Sequence, residues 1–526
     1  MLTLTKPSRD EAIFRELEIL INGTPADALS VRVSAMPFNT LWPGHQRPLD
    51  QTELAAYLSF ATDGPVEVVV RPKRPFSCAV VRPLSRGIVP EVENGEIRFT
   101  LARTGQYVLE LDGPHGALHI FADPIVDYEK KIGEGTLIRF GAGEHRIGQM
   151  ELIDHTTVLI DRDAVVYGSF LAVGATDIRI LGEGAIDGGW EERESDNFLL
   201  VYDYNRCPAA SWEREQMQDR FSDPALFPST EGYRVGTGSV VYRGREHFEK
   251  LLAAMKPVKS GLHFYACKDV RVEGITLRDS AGLSVTSAGC EGVHFDNVKL
   301  VGMWRYNSDG IDFYNCRHCS IRHSFLRTFD DSIGIKGQIG WDTEDMQDVT
   351  VEGVVVWNDW GHSLEFGADS VASDISNITF RDCDIIHHTH AVLDVSNMDR
   401  ADIHDVLFED IRVEYSRYDQ APVYQENDGM RYERAHFTSP LILVQLLPSM
   451  WSDDGLFGQN RDITFRKISI LSDEGLPLPE ISLSGHDTEH KTKNVCIEGV
   501  SKNGERLKKE EMNLCIGDFT EEITVV

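Results

Sequence analysis

The chain has 526 residues, 41% hydrophobic and 26% charged, enough for a large core in one or two domains. A net charge of -32 argues against a nucleic-acid backbone or an anionic membrane as main partner, since both need basic surface, and it disfavours long polyanionic substrates. No apolar run reaches the length of a membrane span, the opening "MLTLTKPSRDEAIFRELEIL" lacks the basic-then-apolar pattern of a secretory signal, and nine scattered cysteines form no disulfide framework, so a cytoplasmic location is expected.

Residues 1 to about 125 read as short strands, "VEVVVRP", "CAVVRPL", "GEIRFTLA", "QYVLELDG" and "ALHIFADP", with Asn94-Gly95 and Asp112-Gly113 as turn signals. A small N-terminal β-sandwich is expected there. From 126 to 526 a repeat takes over. "CKDVRVEGITL" from Cys267, "CEGVHFDNVKL" from Cys290, "CRHCSIRHSFL" from Cys316, "MQDVTVEGVVV" from Met346, "ISNITFRDCDI" from Ile375, "IHDVLFEDIRV" from Ile403 and "NRDITFRKISI" from Asn460 follow one template. Each has a small or polar turn, alternating apolar residues, a break, and a second short apolar strand. Most starts lie 23 to 30 residues apart, too short for a strand–helix–strand unit. This pattern predicts an all-β solenoid, a right-handed parallel β-helix, with Val270, Val272 and Ile275 facing inward. Two insertions interrupt it, at about 188–261, with the helix-like "WEREQMQDRF" and "EHFEKLLAAM", and at about 416–459. Long insertions in a solenoid often wall its binding face.

"NSDGIDFYNC" and "TFDDSIGIKG" bring Asp309, Asp330 and Asp331 onto successive coils; Asp309 and Asp330 are 21 residues apart, close to one coil. Coils stack about 4.7–4.9 Å apart, so the three carboxylates are expected to converge on one outer face, with His362 in "WGHSLEFGAD" joining the row. Glycines 310, 334, 337 and 361 are expected to leave room for a ligand. Crowded carboxylates split their pKa values, which suits an acid and base acting on a glycosidic bond. A turn-capping ladder of acidic residues is the competing explanation, because Asp and Asn favour turns for their own reasons.

"NSDGIDFYNCRHCSIRHSFLRTFDDSIGIKG" followed by "WGHSLEFGAD" resembles the polygalacturonase family, glycoside hydrolase family 28, over roughly 138–470. The N-terminal strands and "VVVWNDWGHSLEFG" are also similar to the dextranase and isopullulanase family, family 49 of the same clan. The resemblance implies an inverting hydrolase of α-linked carbohydrate. Asp330 would be the general acid, Asp309 and Asp331 would hold and deprotonate water, and His362 would orient and tune the acid. Inversion needs room for that water, with carboxyls roughly 6.5–9.5 Å apart. Asn307, Lys336, Trp360, Glu365, His388, His390 and Asp394 are the expected substrate-binding residues; no metal and no cofactor are expected.

The sequence departs from the family at Ser308, Phe329 and Ser363. The family's Arg-Ile-Lys, which grips the substrate carboxylate, is replaced by "IIHHTHAVLDVSN" with Asp394 and no Arg or Lys. A neutral α-linked poly- or oligosaccharide is therefore favoured over galacturonan, and the insertions favour exo action or short substrates. An exo-polygalacturonase is the alternative. A polysaccharide lyase would need a clustered basic pair near the carboxylates, and a non-catalytic carbohydrate-binding solenoid would survive loss of any one of them. Cys316, Cys319, Cys267 and Cys290 read as a ladder of buried small side chains rather than a metal pair. His388 and His390 are expected on one strand face near Asp394. Trp304, Trp357, Trp360 and Trp451 are candidates for the cleft. A homo-oligomer is compatible with these features.

Overall fold

The computed structural model describes residues 1–8, 11–35, 39–41, 49, 52–190, 261–305, 307–338, 341, 345–419, 423–425, 438–447 and 456–526. The helices expected in the first insertion, much of the second insertion and Trp451 lie outside the described residues.

Two sheets form the N-terminal part. One orders Thr24–Ala26, Leu17–Ile21, Val66–Pro72, Glu96–Leu101 and Glu91–Glu93. The other orders Leu2–Leu4, Thr52–Thr62, Leu118–Pro124, Gly105–Leu111 and Ala79–Arg82, with Leu29–Ser34 also pairing on Thr52–Thr62. Strand Glu96–Leu101 shows why they pack: Ile97, Phe99 and Leu101 are buried while Arg98 and Thr100 point out. With Ile21, Phe60, Val68 and Ile120 they make one core.

Among the described residues from Thr136 to Val525, thirty strands make a single sheet wound as a right-handed parallel β-helix. One interior column runs Ile138, Val158, Ile180, Val272, Phe295, Ile321, Val351, Phe380, Phe408, Phe465, Ile497 and Val525, each in register with the next. Phe380, Phe408 and Phe465 stack at 4.8 and 4.9 Å with nearly parallel rings, which is the coil spacing itself. The cysteine ladder is present: the backbone N–H of Cys267 donates to Cys290 Sγ and that of Cys290 to Cys316 Sγ.

The turn-capping ladder also exists, but elsewhere. Asp177, Asp269, Asp348, Asn377, Asp405, Asp462 and Asn494 take left-handed φ at one corner of the coil, where short polar side chains are tolerated. Asp309, Asp330 and Asp331 do not have left-handed φ.

The sandwich docks on the flank of the solenoid. Val31, Tyr57, Val108 and Phe121 pack with Val301, Phe325, Val355, Trp357 and Ile386 in a second core. Trp357 therefore lies at this interface, fully buried, and does not line a cleft. Among the described residues, no helix is long and apolar enough to cross a membrane.

Candidate active site

Three strand ends build the site. Ile311, Ile333, Leu364 and Leu393 are register partners on successive coils. Two residues before the first three stand Asp309, Asp331 and His362. Gly310 N–H donates to Asp331 O at 2.7 Å and Ser332 N–H to His362 O at 2.8 Å, extending the ladder through the turns. Asp331, not Asp330, is thus the coil neighbour of Asp309, and Asp330 stands diagonally to it. One oxygen from each of the three carboxylates lies within 4.8 Å of the others. The roughly 6.5–9.5 Å spacing expected for inversion is absent at these nearest oxygens.

The face is also less open than expected. Asp309 is 0% and Asp330 8% exposed. The glycines leave room for the protein itself. A Cβ on Gly361 would lie 2.4 Å from Asp331 N and 2.5 Å from the Asp330 carbonyl carbon, so only glycine lets this turn close onto the carboxylate pair. A Cβ on Gly334 would meet Asp312 Oδ1 and the Lys336 side chain, which crosses the space above it.

That crossing corrects the reading of Lys336 as a substrate contact. It is completely buried, with Nζ 3.0 Å from Asp331 Oδ2 and 3.4 Å from both Asp309 Oδ2 and Asp312 Oδ1. Burial alone would raise the Asp331 carboxyl, but Lys336, a hydrogen bond from Glu365 and the His362 N–H at 3.0 Å hold it well below the usual range. Burial, with the neighbouring Asp309 and Asp331 charges, pushes Asp312 well up. Burial and Asp331 do the same to Glu365. The carboxyls of the site are therefore split, with Asp331 held down and Asp312 and Glu365 pushed up.

His362 Nδ1 lies 2.7 Å from Asp394 Oδ2 and 2.9 Å from Glu365 Oε1. Burial opposes its charge, but these two acids raise its pKa well above the ordinary value. Glu365 and Asp394 are almost wholly buried and both pair with His362. The His390 ring is 5.2 Å from that of His362; burial first, then the His362 charge, lowers its pKa to about 3. Trp360 stacks on Phe329 at 5.5 Å and meets His390 edge-on.

His388 and His390 do not share a face. The strand ends at His387, so alternation does not carry into residues 388–390. His388 is buried against Tyr415, with Nε2 2.9 Å from Glu414 O and Nδ1 bonded to Ser439 Oγ. Asn307 takes left-handed φ and is buried, with its side-chain oxygen lacking a hydrogen-bond partner. Trp304 donates from Nε1 to Asp279 at 2.7 Å.

Two supporting residues escape motif reading. Asp312 follows Ile311 by one residue and so points outward, a period-2 signal within "DGIDF". Asn358 Nδ2 donates to Asp330 O at 2.7 Å and lies 3.2 Å from His362 O, tying the two turns together. Nothing in the local sequence marks it. Asp309–Asp330–Asp331 and Asp331–His362–Glu365 are spaced closely enough to hold a metal ion. Lys336 Nζ lies 3.0 Å from Asp331 Oδ2, the residue that the two groups share.

Residues 236–427 match the family described as Glycosyl hydrolases family 28. Dex49A from Penicillium minioluteum shares the fold with a TM-score of 0.59 at 12% identity, covering 100% of this chain and 96% of that one. An exopolygalacturonase from Thermotoga maritima superposes with a TM-score of 0.48 at 14% identity, over 76% of this chain and 85% of that one. A family 28 exopolygalacturonase from Yersinia enterocolitica gives 0.48 at 13%, over 87% and 96%. No curated protein matches the sequence.

Proposed function

We propose that this chain is a polygalacturonase-like glycoside hydrolase that cleaves a neutral α-linked oligo- or polysaccharide with inversion, using Asp330 as general acid. Asp309 and Asp331 hold and deprotonate the attacking water. The observation that carries the substrate class is Asp394. It stands in register with Glu365, one coil on, where a carboxylate-binding site would need a cation, and it pairs with His362 instead. The stretch from His387 to Asn397 has no Arg or Lys. Asp309, Asp330, Asp331 and Asp394 crowd the reacting position, which opposes an anionic sugar.

Carboxylate spacing alone would suit direct attack, since retaining enzymes place the pair roughly 5–5.5 Å apart. Asp331 argues for a held water. Its oxygens already accept from His362 N–H and Lys336, which fixes them and lowers their nucleophilicity while leaving a lone pair for a water proton. His362, kept protonated, sits beside the acid–base pair and stabilises charge developing there. Action at chain ends or on short substrates is part of the proposal, supported by the lengths of the two insertions.

The test is to incubate the purified protein with α-glucans, galacturonans and their oligosaccharides, identify products by mass, and follow the first product by proton NMR. A single small neutral product of inverted configuration is expected. Efficient release of galacturonic acid would overturn the substrate class, and a retained anomer would overturn the water mechanism.

A further inference from the structure

A chain of buried contacts runs from the N-terminal sandwich to the turns that carry Asp330 and His362. It starts at His119, on strand Leu118–Pro124, which is completely buried. Its Nδ1 lies 2.8 Å from the carbonyl oxygen of Ala56, so this nitrogen carries the proton and donates. Nε2 is then the acceptor, and Arg327 Nη1 reaches it at 3.3 Å. Burial, followed by the Arg327 charge, lowers the His119 pKa to about 3, so the ring stays neutral and keeps this tautomer.

Arg327 is itself 1% exposed and lies flat over Trp357, 3.7 Å from the ring centroid. Its Nε donates to Asp359 Oδ2 at 3.2 Å, while Trp357 Nε1 donates to Asp359 Oδ1 at 2.7 Å. Arg327 lies three residues before Asp330, and Asp359 three before His362. The ion pair therefore bridges the feet of two adjacent turns. Just above it, Asn358 bonds the carbonyls of both Asp330 and His362. Thr389 extends the bracing to the next coil by donating to Asn358 Oδ1 at 3.1 Å.

We propose that the N-terminal sandwich is a positioning element of the active site: His119 aims Arg327, and the Arg327–Asp359 pair sets the spacing between the Asp330 and His362 turns. Stability alone does not require this arrangement. The interface already has an apolar core, and a buried ion pair often adds no more stability than well-packed apolar residues. What the pair adds is a fixed direction for Asn358 and, through it, for the acid. The inference rests on Asp330 acting as the general acid.

The test compares two variants of similar size in the full-length protein. His119→Gln keeps an acceptor near the position of Nε2, whereas His119→Asn keeps the bond to Ala56 but does not reach Arg327. With the oligosaccharide substrate found by product screening, His119→Asn is expected to lower kcat about 10- to 100-fold with KM within about twofold, as small misplacements do. His119→Gln is expected to restore kcat to within about threefold of the parent. Equal kcat for both variants, or a loss confined to KM, overturns the proposal. Failure of both to fold also overturns it, in favour of a purely structural role. Asp330→Asn, assayed alongside, separates the two claims. If it remains active, the acid assignment is wrong. If it is inactive while His119→Asn is fully active, only the positioning role is wrong.

Discussion

Lys336→Met removes the one buried cation among Asp309, Asp312 and Asp331 while keeping the length and bulk of the side chain. At separations of 3.0 and 3.4 Å, each interaction with an ionised carboxylate amounts to about 5 kcal/mol at an effective dielectric of about 20. The desolvation of the lysine offsets much of this, so the net loss should match the roughly 3–5 kcal/mol seen when one partner of a buried pair is removed. A loss of about 3 kcal/mol, expressed on one titrating group, is about two pKa units. Asp331 is held below its ordinary pKa in the folded state, so its contribution to stability is present above the unfolded pKa and is lost as pH falls. Two outcomes follow from that sign. The acid limb of kcat/KM should move up by about two pH units, and the Tm deficit of the variant should be largest near neutral pH and shrink on acidification. Both effects fall below about pH 4, so a pH–rate profile and thermal melts taken from pH 7 down to about pH 2 measure them. An unmoved acid limb with a pH-independent Tm deficit would refute the role given to Lys336.

Gly361→Ala should lower kcat by about 10- to 100-fold with a smaller change in KM, because the added methyl separates the 361 turn from the Asp330–Asp331 peptide; steady-state kinetics check this, and parent-like kcat contradicts it. At the domain interface, Arg82 pairs with both Glu110 and Glu414, and burial raises Glu414 to about 7 despite that cation. A raised folded pKa means stability that is complete below about 4.5 and lost as pH rises through about 7, on the order of 3 kcal/mol in all. His387, raised by Glu110 against its burial, acts in the same direction. Glu414→Gln should therefore flatten the fall in Tm between pH 5 and 7, whereas curves parallel to the parent's would contradict the assignment.

The solenoid was legible because its signal repeats. One template, copied seven times with inward residues such as Val270 and Val272, leaves little choice of fold, and both are fully buried. The convergence of Asp309, Asp330, Asp331 and His362 was also legible, since coil length converts sequence spacing into stacking. What could not be read was which side chains lie beneath and which lie above. Lys336 and Asp394 alternate outward as a substrate contact would, yet each is covered and pairs with a neighbour on another coil. His388 was misplaced because the strand stops one residue earlier and alternation ends with it. Asn358 and the His119–Arg327–Asp359 contacts carry no local pattern, because they depend on how a separate domain meets the coil. The carboxylate spacing is closer than inversion suggests, because one oxygen of each of Asp309, Asp330 and Asp331 turns toward the others to within 4.8 Å, a side-chain placement that sequence spacing does not specify.

The central claim is that Asp330 donates the proton to the leaving oxygen. The most direct measurement compares Asp330→Asn with the parent on two substrates: the natural glycosidic bond and the corresponding 2,4-dinitrophenyl glycoside, whose leaving group needs no proton. The account predicts that kcat/KM on the natural bond falls about 10²–10⁴-fold, while the activated substrate loses less than about tenfold. Equal losses on both substrates, or parent-like rates on the natural bond, would contradict it.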